Sequence, residues 1–221
     1  MTIILLARHG QSDWNATRRW QGHADRPLTT KGRYQAKALA KRLAHIELDA
    51  VYSSDLRRAA DTARVVAEAQ NLELVQLPEL REVDVGSWSG LTLEEAEERF
   101  PEGFARWREG HPGWSDGEGY DEMAQRVIGA VVEIALAHEG GRALVVAHGG
   151  PIRAIHAAAL GLDVHEYRRL RPVEPNARLS AVCYVQGALT ELCPATEIDV
   201  LIERDREERL AAAAPPPTPA A

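Results

Sequence analysis

The sequence predicts an α/β fold with a mostly parallel central sheet, helices on both faces, a small cap insertion and a C-terminal hairpin. Two runs, residues 3–7 and 143–147, are apolar at every position rather than at alternate ones, which is typical of strands buried on both faces of a parallel sheet. Segments with helical periodicity lie between them. Strands that alternate with helices favour a sheet covered on both sides.

The elements between these two strands follow from local patterns. Residues 36–43 and 123–134 place apolar side chains three and four positions apart, so both segments predict amphipathic helices. Residues 49–53 and 72–77 are typical of short strands. Asp55 is a candidate N-cap for a helix that extends to about residue 69.

The stretch from about residue 85 to 120 differs from the rest of the chain. It is rich in glycine and proline and contains a short acidic helical segment at residues 93–99. This composition indicates an insertion that lies over a site. Beyond residue 203 the chain is charged and then rich in alanine and proline, so we expect a folded domain over residues 1–202 and a mobile tail over residues 203–221.

The predicted hairpin joins residues 179–185 to residues 189–193 through a turn at residues 186–188. A loop at residues 187–189 would place Cys183 opposite Cys193, close enough for a disulfide. The alternative is a pair of reduced thiols, which a cytoplasmic location favours.

Composition excludes several classes of protein. Hydrophobic residues make up 45% of the 221 residues and charged ones 27%, with a net charge of −7 and two cysteines. These values argue against a disordered chain, a nucleic-acid coat and a disulfide-rich scaffold. With neither an apolar run of bilayer length nor an opening signal peptide, we expect a soluble, cytoplasmic protein with no membrane or nucleic-acid partner. The oligomeric state stays open.

Charged side chains follow the predicted strand ends. Arg8 and His9 follow the first strand, His148 follows the run at 143–147, and Arg58 lies in the first turn of the helix after residue 53. Ligands of parallel sheets bind beyond the carboxyl ends of the strands. Gly149 then opens a helix whose free N–H groups suit an anion. The sequence therefore predicts a site for a doubly charged anion.

These residues fall within blocks that resemble the histidine phosphatase superfamily, the phosphoglycerate-mutase-like fold. The blocks are, in chain order, Arg8-His9-Gly10-Gln11-Ser12-Asp13-Trp14-Asn15, Gln21-Gly22, Ser53-Ser54-Asp55-Leu56-Arg57-Arg58-Ala59, Leu80-Arg81-Glu82 and Val145-Val146-Ala147-His148-Gly149-Gly150. The resemblance extends over about residues 3–160. It implies the same α/β fold.

The resemblance also implies a role for each site residue. His9 would attack phosphorus and become phosphohistidine, while Glu82 would protonate the leaving oxygen. Arg8, Arg58 and His148 would hold the equatorial phosphate oxygens. The expected substrate contacts are Asn15, Gln21, Gly22 and Gly149. Such donors neutralise the phosphate without a metal or cofactor, and the other histidines show no metal-ligand spacing.

Three departures from the family's mutases favour a phosphatase that acts on small phosphorylated metabolites. Val85 stands where mutases have a tyrosine, Gly150 stands where they commonly have asparagine, and no lysine follows Lys41. A cofactor-dependent phosphoglycerate mutase is the alternative, and a phospho-ligand-binding pseudoenzyme a weaker one, because His9 and Glu82 are both kept. The candidates for a substrate carboxylate are Arg106, Arg108 and Arg126, which could equally be surface residues. Trp20 is expected to border the pocket and Trp88 to pack in the interior.

Overall fold

A computed structural model describes residues 1–193, which form a six-stranded sheet with helices on both faces. The strands are β1 (Thr2–Arg8), β2 (Ala50–Ser53), β3 (Leu74–Gln76), β4 (Arg142–Ala147), β5 (Leu179–Val185) and β6 (Ala188–Cys193), in the spatial order β3-β2-β4-β1-β5-β6. The pairs β3–β2, β2–β4 and β4–β1 are parallel, and β1–β5 and β5–β6 are antiparallel. The predicted fold class, including the terminal hairpin, is confirmed.

The helices cover both faces of this sheet. They are α1 (Asp13–Ala16), α2 (Thr30–Leu43), α3 (Arg57–Gln70), α4 (Leu93–Arg99), α5 (Pro101–Arg108), α6 (Tyr120–Ala137), α7 (Gly149–Ala159) and α8 (Val164–Leu170). Along β1, Ile4 and Leu6 enter one apolar cluster, which includes side chains of α6 and α7, while Leu5 and Ala7 enter another, with α2 and α3. Because successive side chains of a strand point to opposite faces, a strand covered on both sides is apolar at every position.

The insertion predicted at residues 85–120 contains a short 3-10 turn (Gly86–Trp88) followed by α4 and α5. Its interior is aromatic. Trp88 is fully buried, as predicted, and its ring centroid lies 5.5 Å from that of Trp20 and 5.7 Å from that of Trp114. Trp107 meets Trp20 edge-on at 5.5 Å. This aromatic cluster joins the insertion to the loop after α1.

The prediction that Asp55 is the N-cap of α3 was wrong. The N-cap of α3 is Leu56, with no side-chain cap hydrogen bond. The Asp55 carboxylate instead accepts a hydrogen bond of 2.7 Å from Nε of Arg81, which lowers the pKa of Asp55. A charge-assisted bond to arginine outweighs a cap on backbone amides.

The proposed pairing of the two cysteines was also wrong. The hairpin turns at Gln186 and Gly187, both with positive φ, at 51° and 87°, so β6 begins one residue earlier than expected. Cys183 therefore pairs with Thr190, and Cys193 pairs with Ala181. Cys183 is a free thiol, whose sulfur lies 2.9 Å from the Thr190 hydroxyl.

Two further expectations concern the whole chain. The tail at residues 203–221 and the domain boundary at residue 202 lie outside the described residues. Within residues 1–193, no helix combines the length and the apolar character needed to cross a bilayer.

Candidate active site

The strand order brings the predicted site residues to one edge of the sheet. Because β1 lies beside β4 with Arg8 opposite Ala147, the next residues, His9 and His148, become neighbours with ring centroids 5.1 Å apart. A cavity of about 390 Å³ opens at this edge. Eight of the nine predicted site residues line it: Arg8, His9, Asn15, Gln21, Gly22, Arg58, Glu82 and Gly149. The ninth, His148, is fully buried against His9.

His9 has the tautomer that a nucleophile needs. Its Nδ1 lies 2.7 Å from the Gly10 carbonyl, and since a carbonyl only accepts, Nδ1 carries the proton and Nε2 keeps the lone pair. Burial lowers the pKa of His9 well below its usual value, with the charges of Arg58 and Arg8 adding to the effect. The imidazole is therefore neutral at neutral pH.

The Gly10 backbone that holds His9 tolerates no side chain. A Cβ on Gly10 would lie 2.5 Å from the Gly32 carbonyl oxygen, and the Gly10 amide donates to the Thr62 hydroxyl at 2.9 Å. Close approach of two backbone segments requires glycine here. The histidine is therefore positioned by backbone packing rather than by a flexible loop.

The guanidinium groups of Arg58 and Arg8 each donate hydrogen bonds to backbone carbonyl groups. In Arg58 the two terminal nitrogens donate to the carbonyls of Gly22 and Ala24, both at 2.8 Å. Arg8 donates from Nη1 to the Glu174 carbonyl at 2.7 Å. Burial lowers the pKa of Arg58 to about 10, so it remains charged at neutral pH.

Several buried polar nitrogens around His9 have no partner among the described residues. They are Nε of Arg8, Nε of Arg58 and both ring nitrogens of His148. A buried donor without a partner costs about 1–3 kcal/mol, and such groups mark a place where a ligand supplies the acceptors. Two guanidinium groups and an imidazole around one nucleophile suit a phosphate dianion.

Glu82 lies across the cavity from the sheet, on the loop before the cap. Its Oε1 accepts from the amides of Val83 at 3.0 Å and Gly150 at 3.1 Å. A Cβ on Gly150 would lie 2.3 Å from the same oxygen, so the glycine lets the carboxylate reach the first turn of α7. The Glu82 carboxyl group is thereby fixed at the N-terminus of α7.

Arg126, expected to contact a substrate carboxylate or lie on the surface, instead supports the acid loop. Its guanidinium donates to the carbonyls of Glu79, Arg81 and Glu82 at 2.7–2.9 Å. It also forms a bidentate ion pair with Glu118, with its Nε 2.6 Å from Oε1. Arg126 therefore positions Glu82 and does not line the cavity.

Asn15 and Gln21 are held by hydrogen bonds within the loop that follows β1. The side-chain oxygen Oδ1 of Asn15 accepts a hydrogen bond from the Ser12 amide at 3.2 Å, and Oε1 of Gln21 accepts one from the Ser12 hydroxyl at 2.7 Å. Asn176 donates to the Asn15 side chain at 3.2 Å and to the His9 carbonyl at 3.0 Å. The sequence did not reveal Asn176, which lies in an irregular loop before β5.

The outer part of the cavity contains residues that sequence reasoning missed. Arg153 of α7 and Arg168 of α8 line it together with Tyr120. Trp20 lines it as well, as predicted. Arg153 follows Gly149 by four residues, a spacing that places both on one helix face, whereas nothing in the sequence pattern signals Arg168. Of the other two carboxylate candidates, Arg106 binds the Gly113 carbonyl and Arg108 is exposed.

Among the residues that the structure describes, the histidines outside the site have no metal-binding arrangement with acidic or thiol ligands. Across residues 1–193 no group of three or more histidine, cysteine, aspartate or glutamate side chains is arranged to hold an ion. His156 illustrates the alternative use of a histidine, since its ring nitrogens bond to Glu191 and Ser180, both at 2.7 Å. It is a packed, satisfied residue.

Known proteins with similar sequences include phosphatases and mutases. The chain is 40% identical over 169 residues to phosphoserine phosphatase 1 of Hydrogenobacter thermophilus, covering 76% of this chain and 80% of that protein. It is 42% identical over 163 residues to a metal-independent phosphoserine phosphatase of Arabidopsis thaliana, covering 71% and 68%. A probable phosphoglycerate mutase of an Enterobacter species is 36% identical over 181 residues, covering 77% and 80%.

Structural comparison and a family model give the same assignment. The solved structure of Bacillus stearothermophilus YhfR superposes with a TM-score of 0.81 and 32% identity, covering 87% of this chain and 96% of that one. The family model described as histidine phosphatase superfamily (branch 1) matches residues 4–193. The fold, the similar sequences and the family model all support one assignment: the chain belongs to the histidine phosphatase superfamily.

Proposed function

We propose that this protein hydrolyses small phosphomonoesters at the cavity beyond β1 and β4, with His9 as the nucleophile. The class of activity follows from its relatives: it is a metal-independent phosphatase. The observation that supports the residue assignment is the set of buried, unpartnered nitrogens that surround His9 within the described chain. That set supplies positive charge and hydrogen-bond donors, which phosphoryl transfer requires above all.

In the first half-reaction, Nε2 of neutral His9 attacks phosphorus as the bond from phosphorus to the ester oxygen breaks. Arg8, Arg58 and His148 donate to the equatorial oxygens, whose charge is stabilised in a site shielded from water. Protonated Glu82 gives its proton to the leaving oxygen. The alcohol departs neutral, and the products are phosphohistidine and a Glu82 carboxylate.

In the second half-reaction, water attacks the phosphohistidine. The Glu82 carboxylate takes a proton from this water, the N–P bond breaks, and His9 regains its lone pair. Asn15 Nδ2 and Gln21 Nε2 are the side-chain donors left over from the loop hydrogen bonds, and we assign them to the phosphate and to the ester oxygen. The cycle ends with inorganic phosphate and a protonated Glu82.

A phosphoglycerate mutase is the alternative activity, and two positions in the cavity favour the phosphatase. Val85 lines the cavity where the family's mutases carry a tyrosine, and Gly150 gives Glu82 room at the amide of α7. Incubation with 3-phosphoglycerate and a catalytic amount of 2,3-bisphosphoglycerate distinguishes the two activities. A phosphatase releases inorganic phosphate, whereas a mutase forms 2-phosphoglycerate.

Trapping the covalent intermediate tests the proposed nucleophile. Protein mixed with a ³²P-labelled monoester and quenched in base should retain label on His9, while acid quenching should release it, because phosphohistidine is labile in acid. His9→Ala should abolish labelling and turnover, and His45→Ala, at an exposed site, should change neither. Label on a serine, or near-normal turnover by His9→Ala, would contradict the mechanism.

A further inference from the structure

The wall of the cavity formed by α7 and α8 carries positive charge that the phosphate site does not use. Arg153 and Arg168 both line it, and their partners are neutral groups: Arg153 donates to the Arg171 carbonyl at 2.8 Å, and Arg168 donates to the Gly110 carbonyl at 2.9 Å and contacts Tyr120. Within residues 1–193 no carboxylate lies at ion-pair distance from either guanidinium. Two half-buried positive charges therefore face the cavity without a counterion of their own.

Two other arginines near the site are neutralised by carboxylates. Arg19, at the rim, is 2.7 Å from the Glu95 carboxylate, and Arg81 forms a bidentate pair with Asp55. Glu82 is the one acidic side chain among the described residues that line the cavity. Arg18 lines the cavity too but is exposed to solvent, so outside the phosphate site the half-buried arginines of the described lining without an ion pair are Arg153 and Arg168.

The two arginines are also held in place before any ligand arrives. The Arg168 guanidinium carbon lies 3.6 Å from the ring centroid of Tyr120. This cation–π contact fixes the orientation of the guanidinium plane. Nε of Arg153 is buried and has no partner among the described residues. Burial lowers the pKa of Arg153, and the positive charge of Arg168 lowers it further. An anion between the two groups would relieve this repulsion and satisfy the free donor.

We propose that Arg153 and Arg168 form a second anion subsite that binds the carboxylate of a phosphorylated hydroxy acid, and that the cavity disfavours a substrate ammonium group. This inference rests on the proposed function, because the phosphate end of the substrate is anchored at His9. A carboxylate matches the planar guanidinium fork with two parallel hydrogen bonds. An ammonium at the same end of the substrate meets the arginines, and Glu82 is engaged at the ester oxygen.

A matched substrate series tests both parts of the proposal. 3-Phosphoglycerate, glycerol 3-phosphate and O-phosphoserine of the configuration that matches the phosphoglycerate share a three-carbon phosphate ester. The second lacks the carboxylate, and the third replaces the hydroxyl by an ammonium. We expect kcat/KM for 3-phosphoglycerate to exceed that of each of the others by about tenfold or more, since charge-assisted bonds of this kind carry that much selectivity. Equal values for 3-phosphoglycerate and glycerol 3-phosphate would overturn the carboxylate subsite, and a preference for phosphoserine would overturn the discrimination against ammonium.

Variants of the two arginines assign the selectivity to this wall. Arg168→Gln and Arg153→Gln should each lower kcat/KM for 3-phosphoglycerate by about tenfold, mainly through KM, and leave the value for glycerol 3-phosphate within about threefold. Arg169→Gln is the matched control, because Arg169 is the next residue of α8 and is exposed outside the cavity. A purely structural role of Arg168 under the cap would instead lower activity on both substrates equally, and that result would overturn the proposal.

A binding measurement separates this proposal from the proposed function. Calorimetry with His9→Ala protein reads the subsite without turnover, and 3-phosphoglycerate should bind at least about tenfold more tightly than glycerol 3-phosphate. Introducing Arg168→Gln into this protein should remove the difference. If the wild-type protein hydrolyses none of the esters but this difference persists, the proposed function fails and the subsite stands. If hydrolysis occurs without any difference, the subsite fails alone.

Discussion

Replacing Glu82 by glutamine removes a proton donor while keeping its shape, and the consequence should depend on the leaving group. An alkyl phosphate expels an alkoxide, which needs a proton, whereas p-nitrophenyl phosphate expels a stable phenolate. General acid catalysis contributes about 10²–10⁴-fold, or about 3–5 kcal/mol. Glu82→Gln should therefore slow phosphorylation of the enzyme by an alkyl phosphate by about that factor, and by p-nitrophenyl phosphate much less.

The contacts of Glu82 set the expected effects on folding and binding. A glutamine oxygen can keep the bonds that the neutral acid accepts from the Val83 and Gly150 amides. The free energy of unfolding should therefore change by less than about 1 kcal/mol. Because glutamine replaces a neutral acid, KM should stay close to that of the wild-type protein. The variant therefore differs from a misfolded protein by a low kcat at normal KM.

Rapid-quench measurement of the phosphorylation burst is the required assay, because Glu82 also serves the hydrolysis of the intermediate. Glu79→Gln is a suitable control, since its carboxylate is exposed in the same loop. An equal loss with both substrates in the burst would refute the reasoning. It would show that Glu82 serves binding or loop structure and that the acid lies elsewhere in the cap.

The remaining predictions concern the metal, the buried histidines and the loop support. Activity should survive chelation by EDTA, because arginine and histidine neutralise the phosphate, and an absolute need for added divalent metal would contradict the site. Since burial lowers the pKa of His9 and His148, the unfolded chain binds more protons than the folded one below pH about 6.5. As the pH is lowered below that value, the free energy of unfolding should decrease by at most about 1.4 kcal/mol per pH unit for each histidine. Urea titrations at pH 7.5, 6 and 5 measure this decrease. His148→Gln should make the decrease with pH smaller. Arg126→Lys should lose most of the hydrogen bonds that the guanidinium group makes to the loop carrying Glu82, which should lower the free energy of unfolding by about 3 kcal/mol. The variant should also turn over alkyl phosphates more slowly, with a smaller effect on aryl phosphates. Equal losses with both substrates would show that Arg126 contributes to stability only.

The sequence predicted those parts of the structure that depend on local pattern. Uninterrupted apolar runs identified β1 and β4, and the rule for parallel strand ends placed His9 and His148 at one edge. The choice of Arg58 over Arg57 came from the resemblance to the family; in the structure Arg57 is exposed, whereas Arg58 is buried and lines the cavity.

The sequence failed where a distant charged partner decides the outcome. The prediction for Asp55 was wrong because Arg81, 26 positions away, competes for its carboxylate. Arg126 was read as a substrate contact or surface residue, and its partners are carbonyls of a loop that only the fold brings near. Arg168 and Asn176 reach the cavity from segments without a distinctive pattern, so their roles depend on tertiary packing alone.

The position of β1 between β4 and β5 has a consequence for biosynthesis. β1 is synthesised well before its two neighbours in the sheet, β4 and β5, which lie at residues 142–147 and 179–185. The Arg8 amide donates to the Arg178 carbonyl, and the Arg8 carbonyl accepts from the Ala177 amide, so these bonds also wait for the segment just before β5. During most of translation β1 is an apolar strand with free edges, a species that aggregates readily. The two edges of β1 can therefore be paired only after both β4 and β5 have been made.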